Sequence, residues 1–215
     1  MKKIILILFL FLLCIACYII YHKTKSNKLY ITSLGDSLAT YQYINNNVKK
    51  YNVDFTDKDM HINDLLNILK YQYKKDTTSH VHQNLKKSDI VIISVGMNDI
   101  YYKLNNDTKE IYTFINNIIN NYEEIFKEIN KYDYKQVYVL GYYNITNQNN
   151  DLFNYANYKL KKIAKNYNYI YLDLNTYFYN NQQYLKKETN FYPNKEGFEQ
   201  ITNLIVEKLK KYDII

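Results

Sequence analysis

Apolar residues recur along this chain with two periods, and the periods alternate. Short runs rich in β-branched and aromatic side chains occupy 29–33, 52–55, 90–95, 136–140 and 169–174. Each reads as a strand. The run 90–95 is apolar at successive positions, as a strand covered on both faces requires. Between the runs the spacing becomes helical, over 38–50, 60–71, a stretch ending near Lys87, 108–131, 151–166 and 195–210. Ile62, Leu65, Leu66 and Leu69 mark one buried stripe. Ile111, Phe114, Ile118, Tyr122, Ile125 and Ile129 mark another, and Phe198, Ile201, Leu204 or Ile205, and Leu209 mark a third. Asp107 and Glu110 have the spacing of a capping box at the start of the longest helix. Alternation of this kind predicts right-handed crossovers and a parallel sheet with helices on both faces. Ligands on such sheets sit at the carboxyl ends of the strands. Neither an internal repeat nor a second globular domain is visible.

The N-terminus breaks the pattern. Met1-Lys2-Lys3 precedes an apolar run from Ile4 to Tyr21. That is long enough to cross a bilayer and longer than the usual signal-peptide core. Both cysteines, Cys14 and Cys17, fall inside it. Cys14-Ile15-Ala16-Cys17 faintly resembles a lipoprotein cleavage site, but Cys14 and the apolar residues beyond Cys17 favour an uncleaved signal anchor over 1–21. A polar linker over 22–27 follows, then one domain over 28–215. Lys23, Lys25 and Lys28 balance Lys2 and Lys3, so charge does not orient the anchor. The domain contains no cysteine and needs no disulfide.

The chain has 215 residues, a net charge of +7 and 27 tyrosines, and every one of its 28 basic residues is Lys. The abundance of Asn, Ile, Lys and Tyr reads as AT-rich coding bias. Without Arg there is no planar bidentate grip on phosphate or carboxylate. Lys is spread along the chain, and no nucleic-acid recognition motif is present, so nucleic acid is not an expected partner. No His, Cys or carboxylate spacing suggests a metal, and no cofactor is expected.

Chemistry concentrates in three places. Gly35-Asp36-Ser37-Leu38 follows the first strand, and Gly96-Met97-Asn98-Asp99 follows the third. Thr189-Asn190-Phe191-Tyr192-Pro193-Asn194-Lys195-Glu196-Gly197-Phe198 precedes the last helix. A serine between a strand and a helix N-terminus can present its hydroxyl to a crevice, beside N–H groups suited to an oxyanion. A side-chain amide such as Asn98 is a neutral oxyanion donor. The structural alternatives are a helix cap at Ser37 and an Asn-Asp turn at 98–99. Gly35, Asp36, Gly96 and Asp99 read as structural residues of the site.

This ordered set resembles the SGNH, or GDSL, hydrolases over almost the whole soluble part. The resemblance implies a three-layer α/β/α domain with a parallel, flavodoxin-like sheet of about five strands. It implies Ser37 as nucleophile, with its own N–H and Asn98 in the oxyanion hole. It also implies an extracytoplasmic domain acting on small acyl esters or acylated surface glycans. Two blocks depart from the pattern. The third carries Asp-x-x-His in the family, and here Thr189 and Tyr192 stand at those positions. The second supplies a Gly, and here the loop 56–61 has none, which leaves a residue near Asp59 to offer its N–H. The ordinary tyrosine pKa of about 10 leaves roughly a thousandth as phenolate at neutral pH. Of the histidines, His22 flanks the anchor, and His80 and His82 are expected away from the crevice. His61 sits in the second-block loop, which the resemblance places beside the oxyanion hole; it is the candidate substitute base, or else an exposed polar residue at the start of a helix. Glu188 should point elsewhere. Two readings follow: a serine ester hydrolase or deacylase with an unorthodox base, and a membrane-anchored binding or scaffold module that has lost catalysis.

Overall fold

The computed structural model describes residues 11, 13–18, 30–36, 52–56, 59–71, 79–144, 149–185 and 192–211. Ser37, Thr189, Glu188, His22, the linker, the helix expected over 38–50 and much of the anchor lie outside the described residues. Within the N-terminal run, residues 13–18 are helical and exposed, and Cys14 and Cys17 are exposed free thiols. Among the described residues no helix is long and apolar enough to cross a membrane.

Five strands form one parallel sheet: β1 Ile31–Gly35, β2 Asn52–Thr56, β3 Ile90–Ser94, β4 Gln136–Leu140 and β5 Ile170–Leu172. Their order is β2-β1-β3-β4-β5, the flavodoxin-like arrangement expected from the sequence. Every residue of β1 and β3 is buried, because the two strands are central and covered on both faces. The helices are α1 Ile62–Tyr71, α2 Ser79–Lys87, α3 Met97–Asn106, α4 Ile111–Ile129, α5 Asn150–Asn166, α6 Leu174–Tyr179 and α7 Lys195–Lys211, with a 3-10 turn at Gln182–Tyr184 before α7. The element over β4 matches its expected span, and the others shift by one to three residues where caps and fraying decide.

Two helices, α3 and α6, were not anticipated. α3 buries Met97, Ile100 and Tyr101, a spacing that reads as helical once the residues after β3 are not taken as a turn. The residues after β5 start α6, whose first turn is capped by Asp173 accepting from Thr176 N at 3.0 Å.

The expected capping box does not form. α4 begins at Ile111, and the preceding Glu110 is left-handed at φ 55° with no side-chain cap. Asp107 is committed elsewhere, to the Lys103 ammonium at 2.9 Å and to Lys109 N at 2.9 Å. The end of α3 has taken the carboxylate that the start of α4 would use.

Side chains from flanking helices finish the strand ends. Tyr122 of α4, wholly buried, accepts from Val95 N at 3.1 Å. Asn157 of α5 donates to Tyr142 O at 2.9 Å and accepts from Tyr142 N at 2.8 Å. Its amide thus substitutes for a neighbouring strand beyond the end of β4.

At the carboxyl end of β1, Gly35 has φ +111°, and a Cβ there would lie 1.8 Å from Ser94 O. Neither the conformation nor the space suits a side chain. Gly35→Ala is expected to cost at least about 3 kcal/mol by strain and displacement of β3, read from urea unfolding; a loss below about 1 kcal/mol would show that the strand end yields.

Candidate active site

The carboxyl ends of β1, β2 and β3 lie side by side, with Gly35 in register with Thr56 on one flank and Ser94 on the other. Beyond that register Asp36 turns toward β3. Its N–H donates to Ser94 O at 2.5 Å, and the Ser94 hydroxyl donates to Asp36 Oδ1 at 2.6 Å. Asp36 is fully buried, and this clamp ties the end of β1 to β3. Ser37 follows immediately in the chain.

Gly96, at φ +91°, turns the chain from β3 into α3. Asn98 and Asp99 therefore fall in the first turn of a helix, and both reach across to the segment after β2. Asn98 Nδ2 donates to Met60 O at 3.0 Å. Asp99 Oδ2 accepts from Ile62 N at 3.0 Å, and Asp99 Oδ1 lies 3.2 Å from His61 Nδ1. Asp64, at the third position of α1, accepts from His61 N at 3.0 Å. Thus α1 receives two of its capping bonds from carboxylates, in keeping with the charge preference at a helix N-terminus. Asp99, expected to hold its own turn, instead holds the next element and a histidine. Burial pushes its carboxyl above the ordinary carboxylate range, an effect that Ile62 N and His61 only partly offset.

The third block arrives from the other direction. Asn194 caps α7 by accepting from Gly197 N at 2.9 Å. Asn194 N donates to Tyr184 O at 2.9 Å, and Pro193 makes a bridge to Leu185. A Cβ at Gly197 would lie 2.4 Å from Tyr184 O. These residues fix the start of α7 on the 3-10 turn. They thereby deliver the Tyr192 hydroxyl to Asn98 Oδ1 at 3.0 Å.

The direction of that bond follows from its neighbours. Met60 O can only accept, so Nδ2 of Asn98 must face it and Oδ1 must face Tyr192. An amide oxygen only accepts as well, so Tyr192 is the donor and a neutral phenol. Phenolate at that place would meet the amide oxygen with like charge. Tyr192 reaches the site but cannot work as a base in this geometry.

No family model and no curated protein matches the sequence. Solved structures do match. The lipase Lip_vut3 from goat rumen metagenome superimposes with a TM-score of 0.65 at 18% identity, over 86% of this chain and 97% of that one. The acetyl xylan esterase AlAXEase gives 0.66 at 16% identity, over 84% and 100%. A lipase/acylhydrolase from Enterococcus faecalis gives 0.61 at 15% identity, over 86% and 96%. The fold is that of the SGNH hydrolases.

On this SGNH fold Asn98, Asp99, His61 and Tyr192 gather at one end of the sheet. Beside Asn98 opens a cleft of about 250 Å³ lined by Asp59, His61, Tyr101, Tyr102, Asn105 and Asn106. Asp59 is exposed there and is not among the described non-glycine residues with positive φ. His82 is remote. Its Nε2 lies 2.9 Å from Leu69 O and its Nδ1 2.8 Å from the Tyr132 hydroxyl, at the amino end of the sheet. His80 lies in the same helix. Among the described residues, no group of three or more His, Cys, Asp or Glu is placed to hold a metal ion. The cleft residues Tyr101, Tyr102, Asn105 and Asn106 were missed because no element was assigned to 97–106. The spacing of Met97, Ile100, Tyr101 and Leu104 is the signal that finds it.

A double-mutant cycle on Tyr192→Phe and Asn98→Ala should give a coupling of about 1 kcal/mol in urea unfolding. Strict additivity would mean that the hydrogen bond between them contributes nothing to stability.

Proposed function

We propose that the chain is a serine-type acyl-ester hydrolase or deacylase with Ser37 as nucleophile and Asn98 as oxyanion donor. The observation that carries this reading is the meeting of all three sequence blocks at one strand end. The Asp36–Ser94 clamp sets the residue before Ser37, α3 presents Asn98, and the α7 cap delivers Tyr192 to Asn98. Donation from Tyr192 into Oδ1 fixes the amide and polarises its N–H bonds toward an acceptor. An amide donor of this kind is worth about 100–1000-fold in rate where charge develops on oxygen. Substrates fitting the reading are small acyl esters, on lipids or as acetyl groups on surface glycans. A lipase and an acetyl xylan esterase are among the structural neighbours, which supports that class. The apolar run over 4–21 supports a membrane-anchored enzyme with its domain outside the cytoplasm.

One observation favours the second reading, a binding or scaffold module. The residue at the family's histidine position is held as a neutral donor, so the third block contributes no base.

Hydrolysis of p-nitrophenyl acetate and labelling by a fluorophosphonate separate the two. The full chain should hydrolyse and be labelled, and Ser37→Ala should abolish both. An unlabelled wild-type chain that gains labelling only in Tyr192→His combined with Thr189→Asp would establish the disarmed module instead.

A further inference from the structure

We propose that His61, oriented by Asp99, is the general base of this crevice. The proposal rests on the serine-hydrolase reading above and names the group that reading leaves open.

The geometry points to one tautomer. Asp99 Oδ1 lies 3.2 Å from His61 Nδ1, and an ionised carboxylate only accepts, so Nδ1 carries the proton. The lone pair then sits on Nε2, which has no hydrogen-bond partner among the described residues. The His61 side chain is 45% exposed, whereas that of Asp99 is 11% exposed. A fixed, buried carboxylate behind a half-exposed imidazole is the division of labour that acid–base catalysis uses. Asp99 is held in turn by Ile62 N, so it is not free to rotate away. His61 shares the cleft with Asn98.

Topology supplies the reach. β1 lies between β2 and β3. The ends of β2 and β3 therefore flank the end of β1, and His61 and Asn98 come from the segments that follow those two flanking strands. A base at position 61 approaches from the β2 side of the crevice. Asp99 lies against the imidazole, Asp64 accepts from the His61 backbone N–H, and Asp59, Tyr101 and Tyr102 line the same cleft. None of the described residues lining the cleft is a lysine.

The step balances without any further reagent. As the serine oxygen bonds to the acyl carbon, its proton passes to Nε2 and the carbonyl becomes an oxyanion. The imidazolium then returns the proton to the leaving oxygen as the ester C–O bond breaks. Water repeats the sequence on the acyl-enzyme. Asp99 acts through His61 and is a positioning residue; it stabilises the imidazolium and keeps Nδ1 protonated.

The test uses the full chain. His61→Ala should lower Ser37-dependent hydrolysis of p-nitrophenyl acetate by at least about 100-fold. Added imidazole should restore fluorophosphonate labelling of Ser37 in that variant, which a merely structural histidine would not allow. Asp99→Asn keeps an acceptor for Ile62 N but turns an N–H toward Nδ1. Nitrogen-15 NMR of His61, assigned by difference against His61→Ala, should show Nδ1–H in the wild type and Nε2–H in Asp99→Asn. A wild-type rate in His61→Ala, with Ser37→Ala inactive, would overturn the base and leave the hydrolase reading standing. An Nε2–H tautomer in the wild type would also overturn it. Absence of Ser37-dependent turnover in the wild type would overturn the hydrolase reading, and the base with it.

Discussion

The contact of the Gly35 backbone with the Ser94 carbonyl is the constraint from which the rest of the site follows. A chain that must pass that close to a neighbouring strand has to be glycine, has to turn at positive φ and has to be held there. The Asp36–Ser94 bonds hold it. Once β1 and β3 are joined at their ends, the helix that follows β3 starts at a fixed place. Its first two polar side chains then reach the segment after β2. The cap of α1 descends from this joint, and the orientation of Asn98 depends on it together with Tyr192.

The third block separates what a motif does for the fold from what it does for chemistry. Pro193, Asn194 and Gly197 secure the first turn of α7 to the 3-10 turn through contacts that involve no catalytic group. They are needed whether or not an imidazole stands before them. Tyr192 occupies the place they define and forms a hydrogen bond suited to a phenol. A recognisable signature with an altered central residue is therefore physically coherent. Its structural half answers to helix capping and close packing, and its chemical half answers only to the reaction.

The parallel sheet was legible because hydrophobic period, run length and alternation all agree, most clearly at β3 and β4. At the crevice, glycines mark the strand ends and Asn98 meets Tyr192, while Ser37 lies outside the described residues. Local rules failed where distant groups compete. Asp107 has the spacing to cap α4, yet Lys103 engages its carboxylate. Asp99 looks like a turn residue until the fold brings Ile62 and His61 against it, across a separation in sequence that no spacing rule covers. His61 stands out in the sequence by position alone, and its contact with Asp99 is visible only in three dimensions.

Asp99 serves two masters with its two oxygens, one facing the start of a helix and the other an imidazole. Mutational drift at this position is consequently restrained by folding even in the absence of any demand on chemistry. Tyr192 gives its hydroxyl to Asn98, a bond that answers to a phenol and not to a helix cap. A lineage could therefore lose or exchange the third-block residue while the carboxylate beside His61 stayed in place, preserved by helix stability and available whenever a base was needed.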